Sequence, residues 1–264
     1  MQVRVNSQKP LMVSLVGLIT VAWLALWVWG ASPYGRFLSH ESLGELHLGS
    51  DLPLMTLFVA GWTLMTTAMM LPTTLPLIGL FHRFTAQRHD RLRLVLLLIA
   101  GYLGVWSLFG VLVHLADYVV HVVVEQIDWL ESNHTAIGSA TLVLAGLYQF
   151  SPLKYKCLDK CRSPMSFIVE HWRGHSEGRQ ALLLGIHHGL FCIGCCWALM
   201  LLMFAVGTGS VVWMLVLGGI MGIEKNATWG RRLSAPLGVF LIGLGLMFLW
   251  GSSLGIFGPH SHIH

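Results

Sequence analysis

The sequence predicts an all-α protein, built as a polytopic bundle of transmembrane helices. Hydrophobic residues make up 55% of the 264-residue chain and charged residues only 11%. The mean hydropathy is +0.69, and soluble domains carry far more charge than this chain does. The apolar residues are also gathered into segments near the length of roughly 20 residues that a helix needs to cross a bilayer. We therefore expect residues 1–264 to form a single integral membrane domain.

The apolar segments predict about seven helices. The first is expected to be retained as a membrane helix, because no convincing small-residue cleavage site follows it. The fourth and sixth are short for a full span, so six spans is the alternative count. The predicted segments are residues 11–29, 53–81, 92–116, 135–150, 181–206, 210–223 and 237–257.

The basic residues predict the orientation, because loops rich in Lys and Arg stay in the cytoplasm. With a cytoplasmic N-terminus, every Lys and Arg except Arg36 falls in a cytoplasmic segment. We therefore expect a cytoplasmic N-terminus and a periplasmic C-terminus. The formal charge of +4 reflects this topology, so no nucleic-acid partner is expected. The expected partner is the lipid bilayer, and further membrane or periplasmic subunits stay open.

Five side chains of metal-ligand type lie in the fifth predicted helix, in the stretch HHGLFCIGCCWALM. Residues three, four and seven apart share a helix face, so His188, Cys192 and Cys195 line one face. Cys196 lies beside this face, and His187 points to its other side. Ionisable residues inside a membrane are costly and tend to be functional. The alternative is that the cysteines pack as small hydrophobic residues and that the histidines form a hydrogen-bonded pair.

Two methionines of the second predicted helix, in WTLMTTAMMLPTTLP, lie at the depth of the cysteines. A rise of about 1.5 Å per residue places Met69 and Met70 near the level of Cys192. Pro72 and Pro76 follow, and they should free backbone carbonyls and kink the helix, which a membrane protein tolerates only where other protein or a polar cavity surrounds the break. Packing alone is the alternative role for both methionines.

Two further cysteines, Cys157 and Cys161, follow the fourth predicted helix and lie one turn apart if this segment is helical. We expect them at the cytoplasmic mouth of the bundle. No cysteine faces the oxidising side, so structural disulfides are not expected. Thiolate, thioether and imidazole ligands together suit Cu(I) best and also allow Zn(II). Carboxylates are absent at this depth, which argues against calcium, magnesium and manganese.

Four segments closely resemble, in the same order, the signature segments of the bacterial "predicted metal-binding integral membrane protein" family. They are MMLPTTLP, YQFSPLKYKCLDKCRSP, GLFCIGCCWALM and the helix-end pair EK at residues 224–225. The resemblance implies a multi-pass protein of the bacterial inner membrane with a metal role, and it supplies no reaction. His188 rests on its spacing alone. The residues that the resemblance carries over are Met69, Met70, Pro72, Cys157, Cys161, Cys192, Cys195, Cys196 and Glu224.

A second candidate metal site lies on the predicted outer side, where the third helix continues beyond the membrane. Asp117, His121 and His134 supply imidazole and carboxylate ligands that suit copper, zinc or iron. Their spacing also looks like the copper-ligand pattern in the C subunit of the membrane methane and ammonia monooxygenases. The alternative is an amphipathic extension whose polar face is simply solvated.

Three functions are consistent with these residues. The first is copper handling or delivery through an intramembrane Cu(I) site, with zinc as the second metal. The second is a subunit of a membrane-bound copper oxygenase or redox enzyme that uses Asp117, His121 and His134. The third is a structural subunit in which the cysteines and methionines only pack. The sequence contains no nucleotide-binding loop and no serine nucleophile elbow, which argues against ATP-driven or acyl-transfer functions.

Overall fold

A computed structural model describes residues 9–31, 52–126, 134–172, 177–206 and 211–253. Within these ranges the regular structure is helical and contains no strand. A 3-10 turn at Gly230–Leu233 leads into the last helix. The helices are α1 (Lys9–Ala31), α2 (Leu52–Met69), α3 (Leu71–Phe84), α4 (Arg91–Glu125), α5 (His134–Tyr148), α6 (Pro152–Arg162), α7 (Pro164–His171), α8 (Glu177–Val206), α9 (Val211–Asn226) and α10 (Ser234–Ser253).

The fold is an all-α membrane bundle, as predicted. In the described ranges, four candidate membrane spans, each long and apolar enough to cross a bilayer, coincide largely with α1, α4, α8 and α10. Helices α2 and α3 pass the same test together, which raises the number of candidate spans to five. Helices α5 and α9, with 15 and 16 residues, are shorter than a full span. Each of the seven predicted segments overlaps a helix within the described ranges, while the number of spans and the orientation stay predictions.

The second predicted segment is broken at Met70, where the axes of α2 and α3 differ by 65°. Pro72 has no N–H, so the carbonyl of Ala68 loses its helical partner at this point. The Met70 N–H still bonds to the Thr66 carbonyl at 2.8 Å. The Met70 carbonyl accepts the hydroxyl of Thr73 at 2.7 Å. The predicted kink is confirmed, and polar side chains satisfy part of the backbone that it exposes.

Helices α4 and α8 pack closely because glycines replace side chains at their crossing. A Cβ at Gly185 would overlap the backbone of Leu98, and one at Gly101 would overlap the backbone of Leu182. Small residues at such positions let two membrane helices approach and gain van der Waals contact. Gly101 and Gly185 therefore allow the short distance between α4 and α8.

Candidate metal centre

Three thiols of α8 meet in the interior of the bundle. Cys192, Cys195 and Cys196 are at most 1% exposed. The Sγ of Cys195 lies 3.4 Å from the Sγ of Cys196, and it donates to the Cys192 carbonyl at 3.1 Å. The helix therefore brings the three predicted cysteines together, at steps of one, three and four residues.

Helix α6 brings a fourth thiol to this group. Its start is set by Ser151, whose hydroxyl accepts the Lys154 N–H at 3.0 Å, and by Pro152 in the first turn. Serine at the N-cap followed by proline is a favourable helix start. The helix places Cys157 and Cys161 one turn apart, as the sequence suggested. The Sγ of Cys161 lies 3.9 Å from the Sγ of Cys195.

The other cysteine of this pair has different surroundings. The Sγ of Cys157 lies against Gly194 of α8, where an added Cβ would overlap it. Burial raises the pKa of the Cys157 thiol, which favours the neutral form over the thiolate that binds metals. Cys161 thus joins the α8 thiols while Cys157 packs against the helix backbone. We call Cys161, Cys192, Cys195 and Cys196 the thiol cluster.

The sulfur distances of the thiol cluster bear on what it can bind. A metal–sulfur bond of about 2.3 Å puts two sulfurs on one ion about 3.8 to 4.6 Å apart, from tetrahedral to linear geometry. The 3.9 Å between Cys161 and Cys195 lies in this range, and the 3.4 Å between Cys195 and Cys196 lies just below it. Among the described residues, no set of three or more His, Cys, Asp or Glu has the arrangement of a complete metal site. The cysteines are free thiols.

The two predicted methionines lie at the break between α2 and α3 but face different neighbours. The Sδ of Met70 lies 3.9 Å from the Nζ of Lys225. The side chain of Met69 instead lies along Gly218 of α9, with its Cε 3.5 Å from the position of an added Cβ. Both are buried, and the thioether of Met70 lies against the Lys225 ammonium.

Lys225 reaches into this centre from the end of α9. Its Nζ donates to the Sγ of Cys192 at 2.9 Å and to the Thr73 hydroxyl at 3.3 Å. The hydroxyl of Tyr102 lies 3.1 Å from the same Cys192 sulfur, and it donates to the Met70 carbonyl at 3.4 Å. Among the described residues Lys225 forms no ion pair with a carboxylate.

A second buried lysine is balanced by a carboxylate. The Nζ of Lys154 donates to both carboxylate oxygens of Glu224, at 2.8 and 2.9 Å. The same lysine donates to the amide oxygen of Gln149, and Glu224 accepts the Ser234 hydroxyl at 2.7 Å. Buried charges are tolerated when they are paired and hydrogen-bonded in this way. The neighbouring residues Glu224 and Lys225 thus belong to two different networks.

Sequence reasoning missed Lys225, Tyr102 and Thr73 as parts of this centre. From the sequence, Lys225 and Lys154 serve as cytoplasmic topology markers and lie within signature segments, but neither is named as a site residue, whereas both side chains are buried. The available signal was the Glu-Lys pair at the end of an apolar helix, because two charges there need buried partners. Nothing in the spacing of Tyr102 or Thr73 distinguishes them from ordinary helix residues.

The two histidines of α8 lie in an aromatic environment. The ring of His188 lies 5.8 Å from the ring of Tyr102 and 5.5 Å from the ring of Phe167, between centroids. The ring of His187 lies 4.9 Å from that of His171 on α7. The Nδ1 atoms of His187 and His188 are buried without a hydrogen-bond partner among the described residues. Metal binding by His187 and His188 stays a prediction.

The predicted outer site falls outside what the structure describes. Asp117 and His121 lie within the bounds of α4 and His134 begins α5, but their side chains are not among the described ones. The resemblance of this spacing to the monooxygenase pattern stays a prediction.

Comparison with known proteins places the chain in a copper-related family. The family model described as "PpoB2: Copper chaperone" matches residues 59–248, a stretch that contains the thiol cluster, Met70 and Lys225. A protein of Syntrophotalea carbinolica named "Putative manganese efflux pump MntP" is 24% identical over 151 residues. That similarity covers 57% of this chain, and the chain spans 63% of the relative's length. No solved structure matches the chain.

The family match confirms what the four sequence motifs implied, a metal-related family of membrane proteins. It includes the break between α2 and α3, the helix of Cys157 and Cys161, and the cysteine-rich helix α8 in one continuous stretch. The chain belongs to the PpoB2 family of copper chaperones.

Proposed function

We propose that this protein is a multi-pass copper chaperone of the bacterial inner membrane, and that it carries Cu(I) as cargo on its thiol cluster. The observation that carries the proposal is the approach of Cys161 to Cys195, 3.9 Å between sulfurs on two different helices. Membership of a copper chaperone family supports the same metal. A chaperone passes its cargo on, so we also propose an acceptor protein in the membrane or the periplasm.

The donor set favours Cu(I) over other metals. Soft thiol and thioether sulfurs suit Cu(I) and also bind zinc, but zinc in structural sites takes four ligands in tetrahedral geometry. The thiol cluster supplies two close sulfur pairs, Cys161 with Cys195 and Cys195 with Cys196. Zinc, the second metal allowed by the sequence, gains no support from the family description.

The manganese in the relative's name is not transferred to this chain. Manganese prefers carboxylate, carbonyl and water oxygens. The buried carboxylate next to the centre, Glu224, already accepts hydrogen bonds from Lys154 and Ser234. The sulfur atoms at the centre therefore favour copper over manganese in this chain.

The proposal is tested by measuring copper bound to the purified protein after anaerobic loading with Cu(I). We expect bound copper in the wild type and its loss in the double variant Cys161→Ser/Cys195→Ser. The matched control is Cys157→Ser, which removes a thiol from the same helix but outside the thiol cluster. Equal copper content in the wild type and the double variant would show that the cluster holds no copper.

A further inference from the structure

The charge on Lys225 lies beside the sulfurs that the proposed function needs. Its Nζ is 2.9 Å from the Sγ of Cys192 and 3.9 Å from the Sδ of Met70. A metal–sulfur bond is about 2.3 Å long. A metal ion on Cys192 would therefore lie within about 5.2 Å of this ammonium, the sum of the two distances.

The ammonium is held in place from several sides. The Thr73 hydroxyl accepts a hydrogen bond from it, and its side chain is buried. The buried carboxylate of Glu224 does not neutralise it, because the Nζ of Lys154 occupies both carboxylate oxygens. The centre therefore has the positive charge of Lys225 next to its sulfur ligands, and the negative charge of Glu224 is already balanced by Lys154.

A fixed positive charge discriminates between metal ions by their charge. Coulomb repulsion from the ammonium is proportional to the charge of the ion, so it penalises a divalent ion twice as much as a monovalent one. The effect is strong in a buried site, where the effective dielectric constant is low and salt does not screen it. Sulfur ligands select soft ions, but they do not by themselves separate Cu(I) from soft divalent ions.

On the basis of the function proposed above, we propose that Lys225 is a charge filter that makes the centre selective for monovalent Cu(I) over divalent metal ions. It is a positioning and specificity residue, since its ammonium contacts the ligand sulfurs and binds no metal itself. This role places a determinant of metal selectivity on α9, a helix that carries none of the cysteines.

The test compares Cu(I) and Zn(II) affinities of the purified full-length protein, each measured by competition with a chelator. In Lys225→Gln we expect the ratio of Zn(II) to Cu(I) affinity to rise at least about tenfold over the wild type. Lys225→Arg keeps the charge and should keep the wild-type ratio. Lys156→Gln removes an exposed charge outside the centre and is the matched control, also with an unchanged ratio.

A second pair of ions distinguishes an effect of ionic charge from an effect of ionic softness. Ag(I) and Cd(II) are both soft, so we expect the ratio of Cd(II) to Ag(I) affinity to rise in Lys225→Gln if Lys225 acts through its charge. Where Lys225→Gln does not fold, Lys225→Met removes the charge while keeping an unbranched side chain of similar length. An unchanged ratio in the neutral variant, or an equal shift in Lys225→Arg, would overturn the filter. Absence of Cu(I) binding in the wild type would instead overturn the proposed function on which the filter rests.

Discussion

The ammonium of Lys154 lies 2.8 Å from the carboxylate of Glu224, and both side chains are at most 1% exposed. The pair joins α6 to α9, so it links the helix of Cys161 to the helix of Lys225. Ser234 and Gln149 complete the hydrogen bonding of the pair. This ion pair therefore holds together two of the helices that form the centre.

Removal of one charge from this pair should be strongly destabilising. In Glu224→Gln, the buried ammonium of Lys154 loses its counter-charge, which typically costs about 3–5 kcal/mol. We expect a lower midpoint of thermal unfolding for the detergent-solubilised protein. The control is Glu170→Gln, because Glu170 pairs with Lys160 at an exposed site where ion pairs contribute little. Equal midpoints for the two variants would contradict a structural role for the buried pair.

Copper binding should stabilise the folded protein, by an amount that grows with the logarithm of the free copper concentration relative to Kd. A ligand that binds only the folded state stabilises it by about 2.7 kcal/mol at a free concentration of 100 times Kd. We therefore expect Cu(I) to raise the unfolding midpoint of the wild type and of Cys157→Ser. A Cu(I)-specific chelator should reverse the increase. The increase should be absent in Cys161→Ser/Cys195→Ser, and its persistence there would point to a copper site elsewhere.

Much of this architecture could be read from the sequence, for physical reasons. Hydropathy locates membrane helices because each span must be apolar along its length. Prolines predicted the break at Met70 because they remove backbone donors. Helical spacing predicted that His188, Cys192 and Cys195 share one face of a helix with Cys196 beside it, since positions within one helix depend only on its periodicity.

Contacts between helices could not be read in the same way. The approach of Cys161 to Cys195 and the different surroundings of Cys157 depend on how α6 packs on α8. The separate partners of Glu224 and Lys225 depend on side chains from α3, α6 and α8. A single sequence gives no direct measure of these distances. It therefore could not show that Lys154 and Lys225, which follow the cytoplasmic distribution of basic residues, are buried.

The close packing of α4 and α8 should require Gly185. In Gly185→Ala the added methyl would overlap the backbone of Leu98, so the helices must separate, at a cost of typically 1–3 kcal/mol. The matched control is Gly104→Ala on α4, where an added Cβ meets nothing within 4 Å and alanine favours the helix. We expect a lower unfolding midpoint for Gly185→Ala alone. A similar midpoint for both variants would show that the close contact is not required.

The adjacent residues Met69 and Met70 should differ in their contribution to copper binding. Met70→Leu removes the thioether whose sulfur faces Lys225 near Cys192, and it keeps a similar side-chain volume, so the fold should tolerate it. We expect weaker Cu(I) binding in a chelator competition, because a soft sulfur next to the centre is lost. Met69→Leu is the matched control, since that side chain lies along Gly218 and should keep the wild-type affinity. A loss in Met69→Leu as large as that in Met70→Leu would mean that both thioethers bind the ion. Wild-type affinity in both variants would confine copper to the thiol cluster.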